Sequence, residues 1–230
     1  MIVRAIIPAA GQGKRMNSQT PKQFLELEGH PILHHTLKAF ENSDLIESII
    51  LVVPPKDVAI MKFEWQERFP IISDVVAGGK ERQDSVYNGL CVLEKDTDIV
   101  IIHDGVRPFV SRSMIAEVIE SAKEHGAAIA ALPLNDTLKR GDSENLVKDT
   151  IQRDALWRVQ TPQAFCYSLL SEGMDQARVD NFYGTDEGVL VERLGKPVKL
   201  TVGSEHNIKI TRPEDLPLAK LIATLLEDTK

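Results

Sequence analysis

The residues best suited to chemistry lie in the stretch 6–22, Ile-Ile-Pro-Ala-Ala-Gly-Gln-Gly-Lys-Arg-Met-Asn-Ser-Gln-Thr-Pro-Lys. Gly11 and Gly13 follow an apolar run and are followed in turn by Lys14, Arg15 and Lys22. Glycine lets the backbone turn sharply and bring its N–H groups against a ligand with no Cβ in the way. Successive N–H groups in such a turn make an anion-binding concavity, to which the cations add formal positive charge. The pattern suits a polyphosphate.

Two common glycine motifs are excluded. The dinucleotide fingerprint requires G-x-G-x-x-G and an acid about 20 residues on; here the third glycine position is Met16, and the strand expected at 48–53 runs into Pro54-Pro55. The Walker loop requires Gly-Lys-Ser/Thr, and Gly13-Lys14 is followed by Arg15. Three further polar constellations follow expected strands or lie near the C-terminus. They are Gly78-Gly79-Lys80-Glu81-Arg82-Gln83-Asp84-Ser85, His103-Asp104-Gly105-Val106-Arg107-Pro108 and Asn207-Ile208-Lys209-Ile210-Thr211.

The elements that must position these loops read as alternating strands and helices. Apolar runs at 3–7, 48–53, 71–76, 98–103 and 127–132 predict buried strands, and stripes such as Ile115, Val118, Ile119 and Ala122 predict helices between them. That alternation predicts a doubly wound, mostly parallel α/β sheet, whose ligands sit outside the carboxyl ends of the strands. The alternation lapses over 133–158, a polar excursion with a turn at Gly141, which reads as a protruding β-arm on a single domain spanning 1–230. Beyond it, helices are expected at 168–178 and from Thr185, taken as an N-cap with Asp186 and Glu187 in the first turn. Short strands are expected at 198–202 and 208–210, then a last helix opened by a Thr211–Glu214 capping box.

Composition narrows the function classes. The formal net charge is −7, so the basic loop is a local feature of an acidic chain and a general nucleic-acid surface is not expected. Cys91 and Cys166 are far apart, which suggests neither a zinc site nor a disulfide framework. No signal peptide or membrane-length apolar run is seen, so a soluble cytoplasmic protein is expected. His30, His34 and His35 loosely suggest metal ligation, but Pro31 and the lack of nearby acids favour a surface helix start.

Taken together, the motifs resemble one family. Pro-Ala-Ala-Gly-x-Gly-x-Arg-Met with Pro21-Lys22-Gln23 looks like the signature of nucleotidyltransferases acting on sugar phosphates. The loops at 78–85, 103–108 and 207–211, with Asp136-Thr137-x-Lys139-Arg140, Thr161-Pro162-Gln163 and Thr185-Asp186-Glu187, resemble 2-C-methyl-D-erythritol 4-phosphate cytidylyltransferases in order and over essentially the whole chain. The resemblance implies cytidylyl transfer from CTP to that polyol phosphate, with Mg²⁺ held mainly through the CTP phosphates.

By the same resemblance, Arg15 and Lys22 stabilise the transition state, and Arg153 and Lys209 hold the acceptor. Pro8, Ala9, Ala10, Gly11 and Gly13 bind the triphosphate, and Gly78, Gly79 and Ser85 recognise cytosine. Asp104 lies near the phosphates or a metal, and Arg107, Thr137, Thr161 and Thr185 complete the sugar-phosphate pocket. Taken alone, Arg153 reads as a solvated surface charge, Arg82 with Asp84 equally as support for the 78–85 loop or as a structural ion pair, and His103 as packing beneath the site. The 133–158 arm is expected to cross to a second subunit and complete its site in a homodimer. Trp157, at its base, reads as an anchor or a core residue. Lys80 and His206 depart from the acids common in the family at those positions. A ribitol 5-phosphate cytidylyltransferase is the nearest alternative.

Overall fold

The structure, a computed structural model, describes residues 1–11, 16 and 20–227. Gly13, Lys14 and Arg15 lie outside the described residues.

The centre is a seven-stranded sheet. It is built from β1 (Val3–Pro8), β4 (Ser48–Val53), β5 (Ile72–Ala77), β6 (Ile99–Ile102), β7 (Ala127–Pro133), β10 (Trp157–Cys166) and β11 (Lys199–Val202). Two short strands, β2 (Glu26–Leu27) and β3 (His30–Pro31), pair with each other, as do β8 (Leu138–Gly141) and β9 (Val147–Ile151) in the arm. The order across the main sheet is β11-β7-β10-β6-β1-β4-β5. β10 runs antiparallel to both β6 and β7, and every other pairing is parallel.

Side chains alternate across a strand, so a sheet covered on both faces needs apolar residues at every position. The central strands obey this. On one face Ala5, Ile7, Ile49, Leu51, Ile99 and Ile101 meet α1 (Ile32–Glu41), α2 (Val58–Arg68) and α4 (Arg112–His125). On the other, Ile6, Ile50, Val52, Val100 and Ile102 meet α3 (Arg82–Cys91), α5 (Tyr167–Val179) and α6 (Gly188–Arg193). A third cluster, Leu27, Ile32, Val106, Ile210 and Ala219, seats α7 (Asp215–Glu227) beside the loop that leaves β6.

Four local expectations are corrected. The 157–166 segment, where the expected excursion ends at 158 and no strand is expected beyond it, is a strand; Thr161-Pro162-Gln163 hides its apolar alternation and coincides with an irregularity in its pairing to β7. Thr185 is not an N-cap: α6 begins at Gly188, after Glu187. Residues 208–210 form no strand; Ile210 N–H instead donates to Val106 O at 3.0 Å. The box opening the last helix is closed by Asp215, which accepts from the backbone N–H groups of Thr211 and Arg212 at 2.7 and 2.8 Å. Trp157 is partly exposed at the arm's root and belongs to no core cluster of the described residues.

Candidate active site

Because β1, β4, β5 and β6 are parallel, their carboxyl ends share one edge of the sheet. The loops that leave them enclose a cleft of about 880 Å³. Its wall includes Pro8, Ala9, Ala10 and Gly11 after β1, Pro54, Pro55 and Lys56 after β4, Gly79 to Arg82 and Ser85 after β5, and Asp104 and Val106 after β6. Lys22 and Lys209 reach it from elsewhere in the chain. Most of the predicted phosphate and base loops therefore meet in one place.

The loop positions follow from local packing. The side-chain amide of Gln23, almost fully buried, donates to Ala9 O at 2.7 Å and so ties the residue after Lys22 to the glycine loop. Gly78 is absent from the wall but sits directly behind it: a Cβ there would lie 2.2 Å from the Cβ of Ala10. Only glycine allows the β1 and β5 loops to pack this closely. Ser85 Oγ accepts from Gly79 N–H at 3.1 Å and donates to Glu81 O at 3.1 Å, closing the turn that opens α3. Arg82 and Asp84 do not pair: Asp84 accepts from Glu81 N–H at 3.0 Å as part of a capping box.

Asp104 is the electrostatic centre. Arg82 Nε lies 3.1 Å from its Oδ1, Lys209 Nζ 2.8 Å from its Oδ2, and Arg107 Nε 3.5 Å from Oδ2. Burial alone would raise its pKa; the charges of Arg82, Lys209 and Arg107 outweigh burial and hold the carboxyl well below the usual range. Glu187, buried on the far side of Arg82, accepts from Arg82 Nη1 through both oxygens at 2.7 Å. Burial pushes the Glu187 carboxyl up, and Arg82 opposes that shift.

Beneath Asp104 a buried polar chain fixes its backbone. Asp104 N–H donates to Thr161 Oγ1 at 3.1 Å, and Thr161 Oγ1 lies 3.1 Å from His103 Nδ1. His103 Nε2 lies 3.0 Å from Arg107 O. Burial lowers the His103 pKa to about 4, so the ring is neutral near pH 7. A neutral ring that donates from Nε2 accepts the Thr161 hydroxyl at Nδ1, which satisfies every group in the chain. His103 is packed below the site, as expected. Thr161 and Arg107 act from the same layer; Arg107 Nη1 donates to Asn207 O at 2.7 Å, and Asn207 Nδ2 donates to Thr161 O at 2.8 Å.

Three predicted residues are not brought to this cleft by their own chain. Thr137 and Arg153 lie on the exposed arm, where Arg153 Nη1 donates to Asn135 O, and Thr185 is exposed before α6. Lys80 lines the cleft, whereas the exposed His206 does not. Arg82, Glu187 and Gln23 belong to motifs read in the sequence, but the pairing of Arg82 with Glu187 and the bond from Gln23 to Ala9 were not legible there, and Lys56 belongs to no such motif. Among the described residues no group of three His, Cys, Asp or Glu side chains could hold a metal ion, and His30, His34 and His35 form none. Asp104 is one carboxylate whose two oxygens already face Arg82, Lys209 and Arg107, so among the described residues there is no all-protein cage and a Mg²⁺ would be carried mainly by substrate phosphates.

The chain is similar to known proteins over nearly its whole length. Residues 3–225 match the profile of the family described as 2-C-methyl-D-erythritol 4-phosphate cytidylyltransferase. The chain is 48% identical over 221 residues to the protein of that name from Syntrophus aciditrophicus, covering 95% of this chain and 94% of the relative. It is 48% identical over 225 residues to that from Geobacillus thermodenitrificans, covering 96% and 97%. The crystal structure of the Thermus thermophilus protein of that name superposes with a TM-score of 0.82 at 36% identity, covering 97% of this chain and 100% of the other.

Proposed function

This chain belongs to the 2-C-methyl-D-erythritol 4-phosphate cytidylyltransferase family, and we propose that the cleft described above is where its reaction runs. The chain is a nucleotidyltransferase: it moves a cytidylyl group from CTP to 2-C-methyl-D-erythritol 4-phosphate, giving 4-diphosphocytidyl-2-C-methyl-D-erythritol and pyrophosphate. The observation that supports the site is the meeting of Lys22, Arg82 and Lys209 with the 8–11 backbone and Asp104 around one cavity.

A phosphate oxygen of the acceptor attacks the α-phosphorus of CTP. A new P–O bond forms, the bond to the bridging oxygen of the β-phosphate breaks, and its electron pair leaves with pyrophosphate. The nucleophile is already an anion, so no strong general base is needed. Positioning and stabilisation of negative charge carry the rate. Pro8, Ala9, Ala10 and Gly11 cradle the triphosphate, and Lys22 faces the charge that builds at the α-phosphorus; the family resemblance assigns Gly13 to the first role and Arg15 to the second. Gly78, Gly79 and Ser85 shape the cytosine subsite, whose turn rests on main-chain bonds that Lys80 does not disturb. Asp104 holds Lys209 against the acceptor phosphate, and Arg107 and Thr161 brace that side of the pocket from beneath Asp104. A Mg²⁺ would be carried mainly by the CTP phosphates, with Asp104 the carboxylate beside it, and would supply positive charge toward the leaving group.

The remaining acceptor contacts come from a second subunit. The arm exposes Leu146, Val147, Leu156 and Trp157, an apolar surface suited to a homodimer in which Thr137 and Arg153 complete the neighbouring cleft. On this reading the 230 residues form one domain with 133–158 as its dimerisation arm, working in the cytoplasm, where both charged substrates are available. The test is pyrophosphate release with CTP and either 2-C-methyl-D-erythritol 4-phosphate or ribitol 5-phosphate. The first acceptor is expected to turn over; turnover with ribitol 5-phosphate alone would overturn the assignment.

A further inference from the structure

We propose that Glu187 is a positioning residue, whose buried carboxylate fixes Arg82 so that the guanidinium both holds Asp104 and presents its remaining edge to the acceptor phosphate. This rests on the function proposed above.

The case begins with a carboxylate that has no other task. Glu187 is 1% exposed, yet its side chain makes no capping bond to α6 although it stands at the N-cap position. Both its oxygens lie 2.7 Å from Arg82 Nη1. Arg82 Nε is taken by Asp104 Oδ1 at 3.1 Å. A guanidinium is planar and rigid, so fixing Nη1 and Nε fixes the direction of Nη2. Nη2 has no hydrogen bond among the described residues, and Arg82 lines the cleft. The segment leading to Glu187 is anchored from the residue next to Arg82. Gln83 Nε2 donates to Phe182 O at 3.0 Å and Gln83 Oε1 accepts from Gly184 N–H at 2.8 Å. Gln163 Nε2 donates to Asp186 Oδ2 at 2.9 Å and holds the following turn.

Charge supplies the second half of the argument. Around Asp104 stand Arg82, Arg107 and Lys209. Without Glu187, Arg82 has Asp104 as its one close carboxylate and competes with Lys209 for it. With Glu187 present, Arg82 is shared, and Asp104 Oδ2 stays with Lys209 at 2.8 Å. Glu187 thus keeps the two cations apart on opposite oxygens of one carboxylate. It does so without touching substrate.

The test is steady-state kinetics of Glu187→Gln, which keeps the shape and removes the charge. The KM for the acceptor phosphate is expected to rise about 30-fold, while CTP affinity measured by calorimetry without acceptor stays within about threefold. Arg82→Lys keeps a charge but loses the fork, so it should show the same rise and covers the case in which Glu187→Gln does not fold. The double variant should be no worse than the poorer single variant, because both changes break one linkage. An unchanged acceptor KM in both single variants, or a double variant whose loss is the product of the two, would overturn the proposal. A wild-type chain that releases no pyrophosphate would instead overturn the reading of function, and this inference with it.

Discussion

Lys209 Nζ lies 2.8 Å from Asp104 Oδ2, joining the C-terminal segment to the loop that leaves β6. The contact is held by apolar neighbours: Ile210 is fully buried, and Ile208 packs against the same cluster. Alternation along this extended segment turns the lysine between them toward the cleft. A charge delivered by a segment with no sheet pairing of its own thus reaches a defined place. The family reaction needs this, because its catalysis consists mainly of placing phosphates against fixed positive charge.

The two glycines of neighbouring loops are predicted to fail differently. Among the described residues a Cβ at Gly11 would meet nothing within 4 Å, whereas one at Gly78 would lie 2.2 Å from Ala10 Cβ. Gly11→Ala should therefore fold with an unchanged melting temperature yet bind CTP at least about 10-fold more weakly, since the methyl group intrudes only when phosphate approaches the backbone. Gly78→Ala should lower both stability and activity by forcing the two loops apart. Calorimetric titration with CTP beside thermal unfolding separates the cases. Normal CTP affinity in Gly11→Ala would remove that loop from the site.

The buried imidazole predicts a pH dependence of stability. Burial lowers the His103 pKa to about 4. Between that value and about 6.5 the unfolded chain binds a proton that the folded chain does not, so stability is retained above this window and falls as pH drops through it. The ceiling is about 3 kcal/mol, of which roughly 2 kcal/mol would be lost between pH 6.5 and 5. Asp104 adds nothing to this window. Burial acts to raise its pKa, but its three cationic neighbours win and hold it low, so its stabilisation is complete above the ordinary carboxylate pKa and is lost only at more acid pH. Urea unfolding of the wild type and His103→Gln at pH 7 and 5 checks the assignment. The variant should lose less stability than the wild type on acidification, and equal losses would contradict it.

The arm predicts complementation between inactive subunits. Leu146 and Val147 are 60% and 65% exposed on a two-stranded ribbon that carries Thr137 and Arg153 away from their own cleft. If Arg153 serves the neighbouring site, Arg153→Ala and Lys22→Ala should each be nearly inactive alone. Mixed and allowed to exchange subunits, they should recover about a quarter of wild-type activity, since half the dimers are mixed and each has one intact site. No recovery despite proven exchange, or an active monomer by sedimentation, would refute the crossed arrangement.

How far the sequence could be read followed the range of the forces involved. The parallel strands were legible because burial on both faces writes a continuous apolar run, as in Ser48–Val53. The arm was legible through the loss of that pattern and the turn at Gly141. β10 was not, because Gln160, Thr161 and Gln163 are buried polar groups engaged in long-range hydrogen bonds and look like loop residues in sequence. The pairing of Arg82 with Glu187 was hidden for the same reason: a contact across the fold leaves no local period. Within the site, backbone motifs and the conspicuous lysines were readable, whereas the carboxylate that orders the cations beside Asp104 required coordinates.

Central to all of this is that Lys22, which lines the cleft beside the glycine loop, faces charge that develops at the α-phosphorus. The most direct measurement is the turnover number of Lys22→Ala with saturating CTP and 2-C-methyl-D-erythritol 4-phosphate, taken with its melting temperature. A fall of at least ~100-fold with unchanged melting is predicted, by analogy with loss of an oxyanion donor. A near-normal rate in the folded variant would contradict the account.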